Sequence, residues 1–143
     1  MKTTQQSESS TGEQEVKKIV ISFYDSLVNG DEETFLKLWH PNARRFGLGN
    51  NNKLYSFSKD EILNYTLRGL KNFRAQNPEH KFEQNIDEIF HVYVFQDLVA
   101  SVGVKYHMIM PEGRGNHVSL LHLAKDGEKW LIVGQVDRGL EQS

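Results

Sequence analysis

The sequence contains no cysteine. That absence removes disulfides, thiol nucleophiles, thiolate zinc sites and iron–sulfur centres together, so any chemistry has to come from His, carboxylates, Tyr or Ser. It also leans mildly toward a cytoplasmic location. A surplus of positive charge is missing too: 17 Lys and Arg face 19 Asp and Glu, for a formal charge of −2, and no basic block is larger than a pair such as Arg44-Arg45. The electrostatic footprint of phosphate binding is therefore lacking, which argues against a nucleic-acid partner. No run approaches the ~20 apolar residues of a membrane helix, and the opening MKTTQQSESST lacks the apolar core of an export signal, so no membrane partner is expected. Proline is scarce, and Pro41, Pro78 and Pro111 all fall where the hydrophobic pattern breaks.

What is present fits one domain, since 143 residues bury enough surface for a single core and leave no room for a second. The Ser-, Thr- and Gln-rich start has almost nothing to bury, which divides the chain into a flexible polar tail, 1–12, and a single domain, 13–143. From Glu13 to Asn29 apolar residues recur at Val16, Ile19, Val20, Phe23 and Leu27, a helical stripe that Asn29-Gly30 stops. Asp31 can cap a second helix, covered by Phe35, Leu36, Leu38 and Trp39, and Pro41 forbids its continuation. Ala43 to Leu48 and Leu54 to Phe57 read as short strands around an Asn-rich turn. Ser58-Lys59-Asp60-Glu61 is a capping box that opens a third helix.

After Lys81 the hydrophobic period changes from helical to two. Lys81–Tyr93, Leu98–Met110, His117–Lys125 and Lys129–Asp137 read as an antiparallel meander joined at Gln96-Asp97, Pro111–Gly115 and Asp126-Gly127. Three helices followed by a bent antiparallel sheet is an α+β pattern with the helices on one face. In the second of these strands the even positions, Ala100 to Met108, are apolar or aromatic and should face the helices. His107 then points outward, unless an odd-length loop brings it to the face of His117. His117 and His122 have opposite parity and no helical His pair occurs, so neither a metal nor any other cofactor is expected.

Four segments in this order resemble the nuclear transport factor 2-like superfamily, and more narrowly its SnoaL-like and putative lumazine-binding members: Val28-Asn29-Gly30-Asp31, FLKLWHPNA (35–43), Phe57 to Glu61, and LHLAKDGEKWLIV (121–133). The resemblance spans Glu15 to Asp137. It implies a cone in which a curved sheet wraps helices around a pocket, often dimerising through the sheet's outer face; it implies no single function, because the fold hosts isomerases, cyclases, dehydratases and binding proteins alike. In the lumazine-binding pattern an Asp commonly stands two positions before the L-x-L-x-K run, and this chain has Ser119 there. By correspondence with the isomerase branch, a first-helix Tyr, here Tyr24, faces a substrate oxygen and His117 falls near the place of a second oxygen-binding acid, while Gln135 and Asp137 lie on the last strand near the pocket mouth.

The resulting expectation is a homodimeric small-molecule binding protein whose apolar or aromatic ligand is lined by Tyr24, Trp39, Tyr65, His117, Ser119, Gln135 and Asp137. Each has a plainer reading: Tyr24 and Trp39 as core, His40 as a partner for freed backbone at a helix end, Asp137 as the partner of Arg138, and Arg44-Arg45 as an edge-strand charge. A rival from another class is an enzyme moving protons on a polyketide- or steroid-like carbonyl compound. Its catalytic candidates are Asp137 or His117 as base and Tyr24 as donor to the enolate oxygen. A third reading, a non-catalytic dimeric association module, requires a filled interior.

Overall fold

A computed structural model describes residues 2–48 and 51–140, apart from the side chains of the first ten residues. The helical stripe does what its spacing requires: in α1 (Lys2–Asn29) Val16, Val20, Phe23 and Leu27 are all buried. The helix includes residues 2–12, which the sequence reading assigned to a tail; that stretch holds no proline to interrupt the register. Gly12 lies against β3 (Glu83–Phe95), where an added Cβ would stand 3.3 Å from Val94 Cγ1. α1 ends as its Asn-Gly pair indicates, with Gly30 at φ 65° and the Asp31 N–H donating to Ser26 O at 2.9 Å. Asp31 at once caps α2 (Glu32–Leu38), its Oδ1 accepting from Thr34 N at 3.1 Å.

Because His40 precedes a proline it is biased to extended backbone, and β1 (Trp39–Leu48) begins directly after α2, four residues before the expected Ala43. Lys59 Nζ donates to the carbonyls of Leu36 (2.9 Å) and Trp39 (2.7 Å), satisfying backbone acceptors freed at that helix end. After β2 (Leu54–Ser58) the capping box forms as read, Ser58 and Glu61 bonding each other's backbone, and opens α3 (Lys59–Ile62). The expected third helix is one continuous run in three parts, since α3 passes through a π-helical stretch (Leu63–Arg68) into α4 (Gly69–Gln76).

The remaining strands are β4 (Val99–Met110), β5 (Gly113–Asp126) and β6 (Lys129–Leu140). With β3 they form the expected meander in one six-stranded sheet, ordered β2-β1-β6-β5-β4-β3. The sheet is mixed, because the helices carry the chain from β2 at one edge to β3 at the other and β6 returns beside β1 in parallel. Every other neighbouring pair is antiparallel. One extra residue at each of two places in β3, between Ile86 and Glu88 and between Ile89 and His91, bends the sheet around α1. On the outer face the Phe90 ring lies over Gly103, where a Cβ would meet Phe90 Cζ at 2.6 Å.

The parity argument for β4 holds: Ala100, Val102, Val104 and Tyr106 are buried beneath the helices. Met110 pairs with Gly113, so the hairpin turn is only Pro111-Glu112 and not the five residues expected. That even count puts His107 opposite Asn116 and on the other face from His117; the two imidazoles do not converge. His107 instead sits 2.7 Å from Asp87 Oδ1. Phe23, Phe35 and Trp39 centre the core, the last two stacked at 5.7 Å and 23°. Among the described residues no helix is long and apolar enough to cross a membrane.

Candidate functional site

Between α1 and the inner face of the sheet lies a cavity of about 140 Å³. Its size is close to that of the roughly 150 Å³ cavity that admits benzene. Phe23, Tyr24 and Leu27 line it from α1, Tyr65 and Thr66 from the π-helical stretch, and Leu70 from α4. The sheet supplies Arg45, Gln84, Tyr106, Met108, His117 and Gln135. A π-helical stretch widens the local turn, and here that stretch carries two lining residues. Apolar walls with a polar end are the usual make-up of a small-molecule site.

The polar end is organised around Asp137, which is 4% exposed. Its Oδ1 accepts from Tyr106 Oη at 2.5 Å and from the Ser119 hydroxyl. Its Oδ2 accepts from Arg45 Nη2 at 2.9 Å, and His117 Nδ1 stands 3.5 Å away, an ion-pair distance too long for a well-formed hydrogen bond. Burial, the largest single influence, pushes the Asp137 carboxyl up. His117, the Arg45 charge, Ser119 and Tyr106 together outweigh it and hold the pKa at about 2. Burial pushes the Tyr24 and Tyr106 hydroxyls up, so both stay protonated donors at neutral pH. Desolvation, the largest single influence, pulls the Arg45 guanidinium down, and Asp137 with Tyr106, Tyr55 and Tyr24 together outweigh it, so it ends above its ordinary value.

Alternation along β1 divides Arg44 from Arg45. Arg44 bonds Ser56 Oγ at 2.7 Å on an exposed face, and Arg45 turns inward beside Gln135, its register partner on β6. The edge-charge reading fails for Arg45 because β2 covers that edge. His117 stacks on Tyr106, centroids 5.0 Å apart at 12°. Gln135 Nε2 donates to Ser119 Oγ at 3.1 Å.

Of the residues anticipated from sequence, Tyr24, Tyr65, His117 and Gln135 line the cavity, and Ser119 and Asp137 lie behind it, bonded to its lining. Trp39 packs on Phe23 and Phe35 in the core and does not itself line the cavity. His40 Nδ1 accepts from Asn42 N at 3.0 Å, two residues on within β1. Asp137 pairs with Arg45 across the sheet and not with the adjacent Arg138. Tyr106 and Gln84 were not anticipated. Parity had already turned Tyr106 inward, and a buried hydroxyl needing a partner was the available signal. Among the described residues no group of three or more His, Asp or Glu is placed to hold a metal ion.

Solved structures with this architecture are nuclear transport factor 2-like or cystatin-like. An uncharacterized protein with a cystatin-like fold from Caulobacter vibrioides has TM-score 0.69 at 13% identity, covering 92% of this chain and 91% of that one. A protein titled a putative dehydratase of the NTF2-like family, from Streptomyces avermitilis, has TM-score 0.67 at 17% identity, covering 93% and 99%. An NTF2-like protein of unknown function from Shewanella baltica has TM-score 0.64 at 14% identity, covering 89% and 92%. At these identities the likeness establishes the nuclear transport factor 2-like fold class. Within it, the chain belongs to the family described as putative lumazine-binding, whose model matches residues 11–136. No curated protein matches it.

Proposed function

We propose that this chain is a small-molecule binding protein that holds a ligand of apolar or aromatic body in the cavity between α1 and the sheet, without turnover. The observation that carries the reading is the state of Asp137. A general base works best with a pKa near the operating pH, whereas this carboxylate is held at about 2 by His117, Arg45, Ser119 and Tyr106 against the opposing effect of burial. Its lone pairs are committed to Tyr106, Ser119 and Arg45. Of the two bases the proton-transfer reading offers, Asp137 and His117, the first thus serves as an anchor for the polar end of the site. The open cavity counts equally against a pure association module, which needs a filled interior. A thermal-shift screen of small cyclic ketones and aromatics, followed by product analysis of each hit, tests the reading. Hits recovered unchanged are expected. Product formation that disappears in His117→Ala would replace it with the proton-transfer enzyme, the activity class suggested by the Streptomyces neighbour's title.

The same reading includes a homodimer through the outer sheet face. It is supported by Phe46 on β1, Phe90 on β3, Leu120 on β5 and Val136 on β6, all large apolar side chains left more than a third exposed. Contiguous apolar surface of this kind marks association sites. Sedimentation at micromolar concentration should give twice the monomer mass; a clean monomer rejects it.

A further inference from the structure

Among the described residues, buried side-chain polar atoms without a hydrogen-bond partner concentrate at the cavity: Tyr24 Oη, Arg45 Nε, Gln84 Oε1, His117 Nδ1 and Gln135 Oε1 all belong to its lining. Only the two Trp indole nitrogens, Trp39 and Trp130, lie elsewhere. Buried polar groups are normally paired, so a cluster of unpaired ones around a void describes what the void is built to receive.

Two of these atoms have fixed roles. Arg45 Nε can only donate. The amide orientation of Gln135 is set by its neighbours: Ser119 gives its one proton to Asp137, so Ser119 Oγ can only accept, and the Gln135 atom facing it at 3.1 Å must be the NH2. That leaves Gln135 Oε1 as an acceptor. Arg45 and Gln135 are register partners on adjacent strands, their backbones about 4.8 Å apart across the ladder, so neighbouring residues bring an unmet donor and an unmet acceptor to the same cavity. A plain ketone fills only the donor and strands Gln135 Oε1. A carboxylate finds the Arg45 charge already met by Asp137 at 2.9 Å and adds a second anion beside it. Tyr24 Oη, on a residue 3% exposed, can serve either kind of ligand atom.

We propose that the cavity selects a neutral compound the size of one six-membered ring, carrying adjacent N–H and C=O groups as in a lactam or cyclic imide, with Gln135 accepting and Arg45 donating. This rests on the ligand-binding reading above. The test is an NMR titration of the full chain with 2-pyridone, 2-pyranone, benzoate and toluene. The first two share ring size and carbonyl and differ by N–H against ring oxygen. A site built around a donor rejects the analogue lacking it, so 2-pyridone should bind at least about tenfold more tightly than 2-pyranone. Gln135→Met should shrink that preference to about twofold. Equal binding of 2-pyridone and 2-pyranone, or tighter binding of benzoate, overturns the proposal while toluene binding preserves the ligand reading. Failure of all four to shift cavity resonances overturns both. The comparison within the native protein does not depend on the variant folding.

Discussion

Replacing Asp137 by Asn removes the charge at the centre of the polar network while keeping its shape. The Arg45–Asp137 contact is 2.9 Å, with side-chain exposures of 13% and 4%; at an effective dielectric of about 20 the gross attraction is about 6 kcal/mol. Desolvation of both groups offsets much of this. A carboxyl held at about 2 instead of 3.8 corresponds to about 2.4 kcal/mol of stability at neutral pH. Asn leaves the Arg45 charge buried without a counter-ion, a change that costs about 3–5 kcal/mol where measured. The retained acceptor for Tyr106 and Ser119 places the expected loss near the lower end. Urea denaturation at pH 7 and matched protein concentration reads it directly. Arg45→Met combined with Asp137→Asn should lose less than Asp137→Asn plus Arg45→Met taken separately, because neither charge is stranded. The pH dependence has a definite sign. The folded pKa is depressed, so the native advantage over Asp137→Asn is full above about pH 4 and declines as pH falls through about 2. A loss below about 1 kcal/mol, or a gap undiminished at pH 2, refutes the account.

Ser119 faces Asp137 in register, so Ser119→Asp sets two carboxylates against each other and raises the pKa of one. It should cost about 2–4 kcal/mol at pH 7 and recover as pH falls toward 4, read as pH-dependent melting. Gly103→Ala drives a Cβ into the Phe90 ring and should cost about 1–3 kcal/mol; in a Phe90→Ala background the cost should fall, leaving only the 3.1 Å approach to His91 Cβ. Ser58→Ala removes the cap of α3 and should cost about 1 kcal/mol, with faster amide exchange confined to Lys59 through Leu67.

Elements with strong local signals were legible in the sequence. The α1 stripe, the Gly30 stop, the Asp31 and Ser58 caps and the meander rest on interactions within a few residues or on strict alternation. Alternation likewise put Tyr106 inward and sent Arg44 and Arg45 to opposite faces. What remained hidden depends on residues far apart in the chain. The partner of Asp137 is 92 positions away, so the adjacent Arg138 looked the simpler choice. The parallel β1–β6 pairing follows from how the helices carry the chain across the sheet, and no local pattern encodes it. Trp39 was expected to wall the pocket, yet stacking on Phe35 and an edge-on contact with Phe23 take it into the core.

The polar site and the dry core share one sheet face because β6 changes parity along its length. Trp130 and Ile132 point inward at even positions; strict alternation would next bring Gly134, Val136 and Arg138 to the interior. One extra residue, Val133, intervenes where Leu123 pairs with Ile132 but His122 pairs with Gly134. Beyond it Gln135 and Asp137 are buried and Val136 is exposed. β1 breaks register at the same level, since Trp39 pairs with Ile132 but Arg44 with Gly134. β1 keeps its parity across the break, with Trp39, Ala43 and Arg45 all on the inner face, and the residues it gains there absorb the switch in β6. On one side of that level the inner face presents Trp39, Trp130 and Ile132 to the helices; on the other it presents Arg45, Gln135 and Asp137 to the cavity. Asp137 is buried where Arg45, Tyr106 and Ser119 offset the cost, and the extra residue in β6 turns its carboxylate toward all three at one end of the sheet. The other end is left free to pack as an apolar core.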